Sequence, residues 1–265
     1  ESVTYQWQEL IGSTWTDISG ATAATATVNI ADSAATTHSY RLLATNVGGT
    51  TTSATVAYTS VAAPTISSVT ANPTTGPLTQ SVTLSATVSG ATSYQWQEQS
   101  GSTWQNIAGA TSATYTANIA DSAATTHTYR LQATNVGGTT TSATVAYTSV
   151  LPPTINTVSA TPASGPLTQT VTLTVSATGA AQYQWQQLTG TTWNNINGAT
   201  ASTHTVSISD NAPTLHSYRV VVSNVGGSIT SDTVTYQSST GPIINTVSAT
   251  PASGPLTQTV QLSVT

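Results

Sequence analysis

At 265 residues, with 4% charged side chains and a net charge of −5, the chain carries three basic residues, all Arg. That leaves no Lys/Arg patch for phosphate, which excludes nucleic acid and anionic membrane surfaces as natural partners. Cys, Met and Phe are absent, so disulfides and thiolate metal sites are excluded too. Hydrophobic residues still make up 37% and alternate with Thr, Ser, Asn and Gln. This is a folding pattern and not the signature of disorder, and no apolar run is long enough to cross a bilayer.

Tyr5-Gln6-Trp7-Gln8 returns as Tyr94-Gln95-Trp96-Gln97 and as Tyr183-Gln184-Trp185-Gln186, a step of 89 residues each time. Trp15, Trp104 and Trp193 keep the same step, as do Tyr40-Arg41, Tyr129-Arg130 and Tyr218-Arg219. So do the Asn-Val-Gly-Gly turns at Asn46, Asn135 and Asn224. A fixed period means tandem copies of one unit, and a unit of this size can bury its own core.

The second copy predicts the elements in order. Thr65 to Val69 is extended, and Pro73 and Gly76-Pro77 interrupt it as in a kinked edge strand. Val82, Leu84, Ala86 and Val88 alternate with polar residues, so they share one face of a second strand. After the Ser89-Gly90 turn, Tyr94 and Trp96 point the same way on a third. Gly101-Ser102 turns the chain into Thr103–Ile107, and Thr114–Ile119 follows. A loop with Asp121 leads to Thr128–Thr134, and Gly137-Gly138 gives a hairpin into the last strand, Thr140–Tyr147. Seven short strands with no helical period predict an all-β fold of antiparallel two-sheet sandwiches.

Trp on strand three, Tyr after an Asp-containing corner on strand six, and then Ala-Thr-Asn-Val-Gly-Gly resemble the immunoglobulin fold. More narrowly, Tyr-Gln-Trp-Gln, Trp-x-x-Ile-x-Gly-Ala-Thr and Tyr-Arg-x-x-x-x-Asn-x-Gly-Gly resemble the Ig-like repeats of bacterial surface and secreted proteins. The resemblance spans the chain and implies a stalk, filament or spacer without catalysis, outside the cell or on its surface. It also implies that Trp7, Trp96, Trp185, Tyr40, Tyr129 and Tyr218 are core markers. Where disulfide-bonded members have Cys, this chain has Leu42, Leu131 and Val220 on one strand, and Ala86, Val175 and Val264 on the other.

The expected domains are an Ig-like unit over 1–60 without its first two strands, complete domains over 61–150 and 151–239, and the first two strands of a further unit over 240–265. Val260, Leu262 and Val264 then lack a sandwich to complete. Burying each is worth ~1.5–3 kcal/mol, so the first unit should not fold without a partner of this kind. A hairpin such as Pro242–Thr265, from another copy or from flanking repeats of a longer chain, is expected to complete it in a head-to-tail polymer.

Trp15, Trp104 and Trp193 lie beside Gly-Ser or Gly-Thr turns, where lateral contact between units or a glycan is conceivable. Asp32, Asp121 and Asp210 recur at the corner, one carboxylate per site, too few for a calcium cage. His38, His127 and His216 have no second His or Cys at ligand spacing, and contact with the corner Asp is the simpler account. Each Arg is expected to hydrogen-bond locally or to pair with the same Asp. Glu9 and Glu98 give way to Gln187, and Asp17 to Asn106 and Asn195, an exchange that paired acid–base catalysis does not tolerate. No enzyme, cofactor or metal is expected. The reading is a structural segment of an extracellular filament or adhesin stalk, and the alternative is a carbohydrate-binding or spacer module of a secreted enzyme.

Overall fold

A computed structural model describes residues 2–265. The first repeat forms β1 (Thr4–Ile11), β2 (Thr14–Asp17), β3 (Thr37–Asn46), β4 (Gly49–Thr52) and β5 (Val56–Thr59). The second forms β6 (Thr65–Asn72), β7 (Thr75–Gly76), β8 (Thr79–Ser89), β9 (Ser93–Ser100), β10 (Thr103–Asn106), β11 (Thr114–Ala120), β12 (Thr126–Asn135), β13 (Gly138–Thr141) and β14 (Val145–Ser149). The third forms β15 (Thr154–Thr161), β16 (Ser164–Pro166), β17 (Thr168–Thr178), β18 (Gln182–Thr189), β19 (Thr192–Asn195), β20 (Thr203–Ser209), β21 (Leu215–Asn224), β22 (Gly227–Thr230) and β23 (Val234–Ser239). A terminal hairpin adds β24 (Val247–Thr250) and β25 (Gln261–Val264).

No helix occurs among the described residues, so none is long and apolar enough to cross a membrane. The chain divides into two compact units. One holds residues 2–74 with Thr79–Ala120 and Thr125–Thr148; the other holds Thr75–Leu78, Asp121–Ala124 and Ser149–Thr265.

In the second unit, the third repeat is a sandwich. Its smaller sheet has the order β15-β17-β20; its larger one has β16-β23-β21-β18-β19, with β22 also on β21. This is an immunoglobulin-like arrangement. The first strand changes sheets where the chain passes Pro162. Thr154–Thr161 pairs with β17, and Ser164–Pro166 runs parallel to β23 in the other sheet. The last strand is also divided. The Ser231 hydroxyl accepts the Val220 backbone N–H of β21 at 3.0 Å, taking the place of a ladder bond to the last strand at the break that separates β22 from β23. Seven expected strands therefore become nine segments.

Alternation builds the core. Val171, Leu173 and Val175 of β17 face inward, with Trp185 of β18 and Tyr218, Val220 and Val222 of β21 opposite; all are buried. In the first unit, the second repeat buries the corresponding Val82, Leu84, Trp96, Tyr129, Leu131 and Tyr147.

The first repeat departs from this plan. It keeps one sheet, β2-β1-β3-β4 with β5 on β3, because those pairings lie inside the repeat. Residues 25–31, which match β11 and β20 at the 89-residue step, form no strand. Their counterparts pair with β8 and β17, and the described residues offer the first repeat no such partner. The same segment type is a strand or coil according to whether its neighbour is present.

Candidate functional site

The loss of one sheet leaves an apolar face open. Trp96 and Trp185 are 0% exposed, whereas Trp7 is only partly covered. Trp7 lines an apolar cavity of about 120 Å³ together with Ile18, Ala26, Val28, Tyr40 and Val56. Val56 and Tyr58 on β5 are 56% and 52% exposed, while Tyr147 and Tyr236, the counterparts of Tyr58, are fully buried.

The terminal hairpin has the complementary deficiency. β24 pairs with β25 as Val247↔Val264, Ser248↔Ser263, Ala249↔Leu262 and Thr250↔Gln261. The register of β15 on β17 is the same one, 89 residues earlier: Val158↔Val175, Ser159↔Thr174, Ala160↔Leu173 and Thr161↔Thr172. Leu173 is fully buried and Leu262 is 76% exposed; Val260 and Val264 are exposed as well. The far edge of β17 carries β20, and among the described residues the far edge of β25 carries no strand.

The outer face of the larger sheet holds a polar ladder that the sequence reading missed. Arg41, Arg130 and Arg219 lie over the rings of Trp15, Trp104 and Trp193, with the guanidinium carbon 4.4, 4.2 and 4.5 Å from the centroid. Each Arg Nε donates to the Gln that follows the core Trp, Arg130 to Gln97 Oε1 at 2.8 Å. The Gln amide in turn donates to Oδ1 of Asp17, Asn106 or Asn195. An acceptor oxygen is all this position supplies, which explains why Asp and Asn exchange there. The other Gln of the motif donates to two carbonyls, Gln95 to those of Trp96 and Ile107. The pattern Tyr-Gln-Trp-Gln therefore reads as two rings facing in and two amides wiring the outside. The cue in the sequence was that both Gln residues return in every copy.

Of the four His residues, His38, His127 and His216 sit at the corner, and the corner carboxylates of Asp32 and Asp210 pair with His38 and His216. His38 Nδ1 lies 2.8 Å from Glu9 Oε1, and its Nε2 lies 2.9 Å from Asp32 Oδ2. Two carboxylates ask both ring nitrogens to donate, which only the imidazolium can do. The Glu9 and Asp32 hydrogen bonds accordingly raise the His38 pKa. The Ser60 hydroxyl, and then His38, hold the Asp32 carboxyl below the usual carboxylate range. In the third repeat His216 Nε2 is 2.9 Å from Asp210 Oδ2, and Nδ1 faces the Gln187 amide at 3.5 Å. Ser238, and then His216, lower the Asp210 pKa. Burial, and then Asp210, push Tyr218 up to about 12. Among the described residues no group of three His, Asp or Glu side chains could hold a metal ion.

No family model matches the chain, and no curated protein sequence matches it. Solved structures do. The FN1–FN3 domains of chicken CNTN1 are 13% identical with a TM-score of 0.40, covering 90% of each chain. A three-Ig segment of titin, an E-to-A mutated variant, is 12% identical at 0.42, covering 91% of this chain and 88% of that one. Extracellular domains 3–5 of Drosophila OTK are 14% identical at 0.40, covering 91% and 86%. These similarities carry no argument beyond the strand topology above, which makes the chain a tandem of immunoglobulin-like β-sandwiches.

Proposed function

We propose that the chain is a structural segment of an extracellular filament or adhesin-type stalk, of the kind found among bacterial surface proteins. Its copies join head to tail by strand complementation. One observation carries the reading: the hairpin β24–β25 already holds the register of β15–β17 while its apolar residues stay exposed, and among the described residues no such pair of strands packs on the first repeat. Transferring the β17–β20 register by the repeat step sets Val28 against Val260 and Ala26 against Leu262. Residues 25–31 of the receiving copy would then become a strand, and Trp7 would be covered. A joint that does not close on itself runs on as a fibre. The four-percent charge content suits such a fibre, because contacts made by apolar burial and backbone ladders are little altered by salt. The glycan alternative loses ground on the Trp15, Trp104 and Trp193 rings, since an Arg stands over a face that a sugar would stack on.

Electron microscopy of the native material, with intact mass under denaturing conditions, tests the reading. Long fibres that dissolve into 26.9 kDa chains are expected. Monodisperse particles would refute the filament, and a single polypeptide far heavier than 26.9 kDa would refute the joint between copies.

A further inference from the structure

The outermost strand of a sheet presents unpaired N–H and C=O groups, and folded proteins blunt such edges by shortness, bulges, Pro or charge. Most edges of the second and third repeats are blunted in these ways. In the larger sheet the outermost strands are β10 and β19, of four residues each, and β7 and β16, of two and three. In the smaller sheet β6 and β15 carry a bulge, between Ile66 and Ser68 and between Ile155 and Thr157.

The opposite edge of the smaller sheet has none of these devices. β11 and β20 run for seven residues each, pair with β8 and β17 in unbroken register, and contain no Pro, Asp, Glu, Lys or Arg. Bonds at both ends of each ladder fix which way the backbone points. The Ala86 N–H donates to the Ala113 carbonyl at 3.0 Å, and the Asp121 N–H to that of Leu78 at 2.8 Å. In an antiparallel pair such bonds fall on alternate residues. Tyr115, Ala117 and Ile119 therefore bond to β8, while Thr114, Thr116, Asn118 and Ala120 turn their N–H and C=O groups away from it. In the third repeat the Val175 N–H donates to Ser202 and the Asp210 N–H to Leu167, both at 2.9 Å. These bonds give Thr203, Thr205, Ser207 and Ser209 the same outward direction. The outward residues are all exposed, and no further strand pairs with either edge among the described residues. β11 belongs to the middle repeat, with another repeat before and after it in the chain, so its open edge is a property of the unit.

We propose that β11 and β20 are lateral docking edges, each taken by the same edge of a second copy. The two strands run antiparallel about a twofold axis, so that the smaller sheets of the two copies continue into one another. The chemistry of the edge selects a copy as its partner. An antiparallel strand offers the alternation of N–H and C=O groups that it also receives, so it is its own complement across a twofold axis. Like charges set opposite one another would oppose self-pairing, and the outward Thr, Ser, Asn and Ala side chains bring none. Between the two repeats Tyr115 becomes His204 and Asn118 becomes Ser207, yet the length and direction of the edge are kept. What the repeats share is therefore the backbone edge and not a particular side chain. The contact lies on the other sheet from Trp104 and Trp193 and makes no use of the hairpin β24–β25. It stands independently of the head-to-tail joint.

Residue-resolved hydrogen exchange on the full 265-residue chain, dilute and concentrated, tests the proposal. The amides of Asn118 and Ser207 face solvent in a single chain and are expected to exchange at least about tenfold more slowly at high concentration. Head-to-tail joining alone leaves them unchanged. Thr116→Pro combined with Thr205→Pro removes one outward N–H from each edge and no bond to β8 or β17, a place where an edge strand accepts Pro. This double variant is expected to melt as wild type does and to lose the protection. Thr116→Lys combined with Thr205→Lys is expected to lose it through charge, which keeps the test decisive if Pro disturbs folding. Thr83→Lys combined with Thr174→Lys sets the same charges one strand further in, on the same exposed face, and is expected to retain it. Outward amides that exchange equally fast at both concentrations overturn the proposal, whether or not fibres form end to end, and leave the edge to a strand of some other protein. Protection that survives in both edge variants, or is lost equally in the inner Lys pair, overturns it as well.

Discussion

Replacing Trp7 and Trp185 separately by Ala measures how much of the first repeat's core is missing. Trp185 is fully buried among Leu173, Val220, Tyr218 and Tyr236, and its ring N–H donates to the Ala201 carbonyl at 3.0 Å. Removing such a ring costs about 3–5 kcal/mol, a large part of the ~5–15 kcal/mol that holds a small domain. At roughly 4–8 °C per kcal/mol, the transition of the third repeat should fall by at least about 12 °C. Trp7 has the same neighbours in sequence but already borders the cavity of about 120 Å³, and its ring N–H reaches the Ala23 carbonyl at 3.2 Å. Less apolar surface returns to water on its removal, so about 1–2 kcal/mol is expected in the separated chain. If copies assemble as proposed and a hairpin covers the ring, the cost should rise towards that of Trp185. Urea titrations followed by far-UV circular dichroism, on dilute chain and on fibre, give both numbers. Equal losses for the two variants in the dilute chain would refute the open face and everything built on it.

The corner charges predict a stability plateau. Asp32 and Asp210 are depressed from their ordinary 3.8, so their contribution is present above that value and is lost as the pH falls through the lower folded values. His38 is raised from 6.5, so its contribution is complete below 6.5 and is lost as the pH rises through the higher folded value. Melting temperatures should peak between about pH 4 and 6.5, and Asp210→Asn should flatten the acid limb of the third repeat; an unchanged acid limb in that variant refutes the assignment. The Tyr218 hydroxyl is buried with no hydrogen-bond partner among the described residues, so Tyr218→Phe should be neutral or stabilising by up to about 1 kcal/mol. A loss of that size in chemical denaturation would point to an acceptor the structure does not have. Arg219→Lys should cost about 0.5–1 kcal/mol and shift Trp193 fluorescence, because an ammonium cannot both stack on the ring and hold Gln186 in the guanidinium geometry. An unshifted spectrum refutes the stacking.

Local chemistry alone carried the repeat and most of its strands. The period needs no structure to read, and Val82, Leu84, Trp96 and Leu131 declare their inward face through an alternation that any strand must obey. Gly and Pro mark turns for reasons that lie within two or three residues. What sequence reasoning missed depends on groups brought together from distant strands. Arg130 stands over Trp104 because β9 lies between their strands. His38 reaches Glu9 across the β1–β3 pair and Asp32 across the corner. The Ser231 hydroxyl divides the last strand only because it meets a backbone N–H of β21. Residues 25–31 make the point most directly. Their sequence favours a strand in every copy, yet they are coil in the first repeat, because a strand needs ladder partners that its own residues do not contain. The sequence by itself determined which segments could be strands and which faces were apolar. Only the tertiary structure decided which of them found a partner, because backbone hydrogen bonds and burial are both satisfied between segments and not within them.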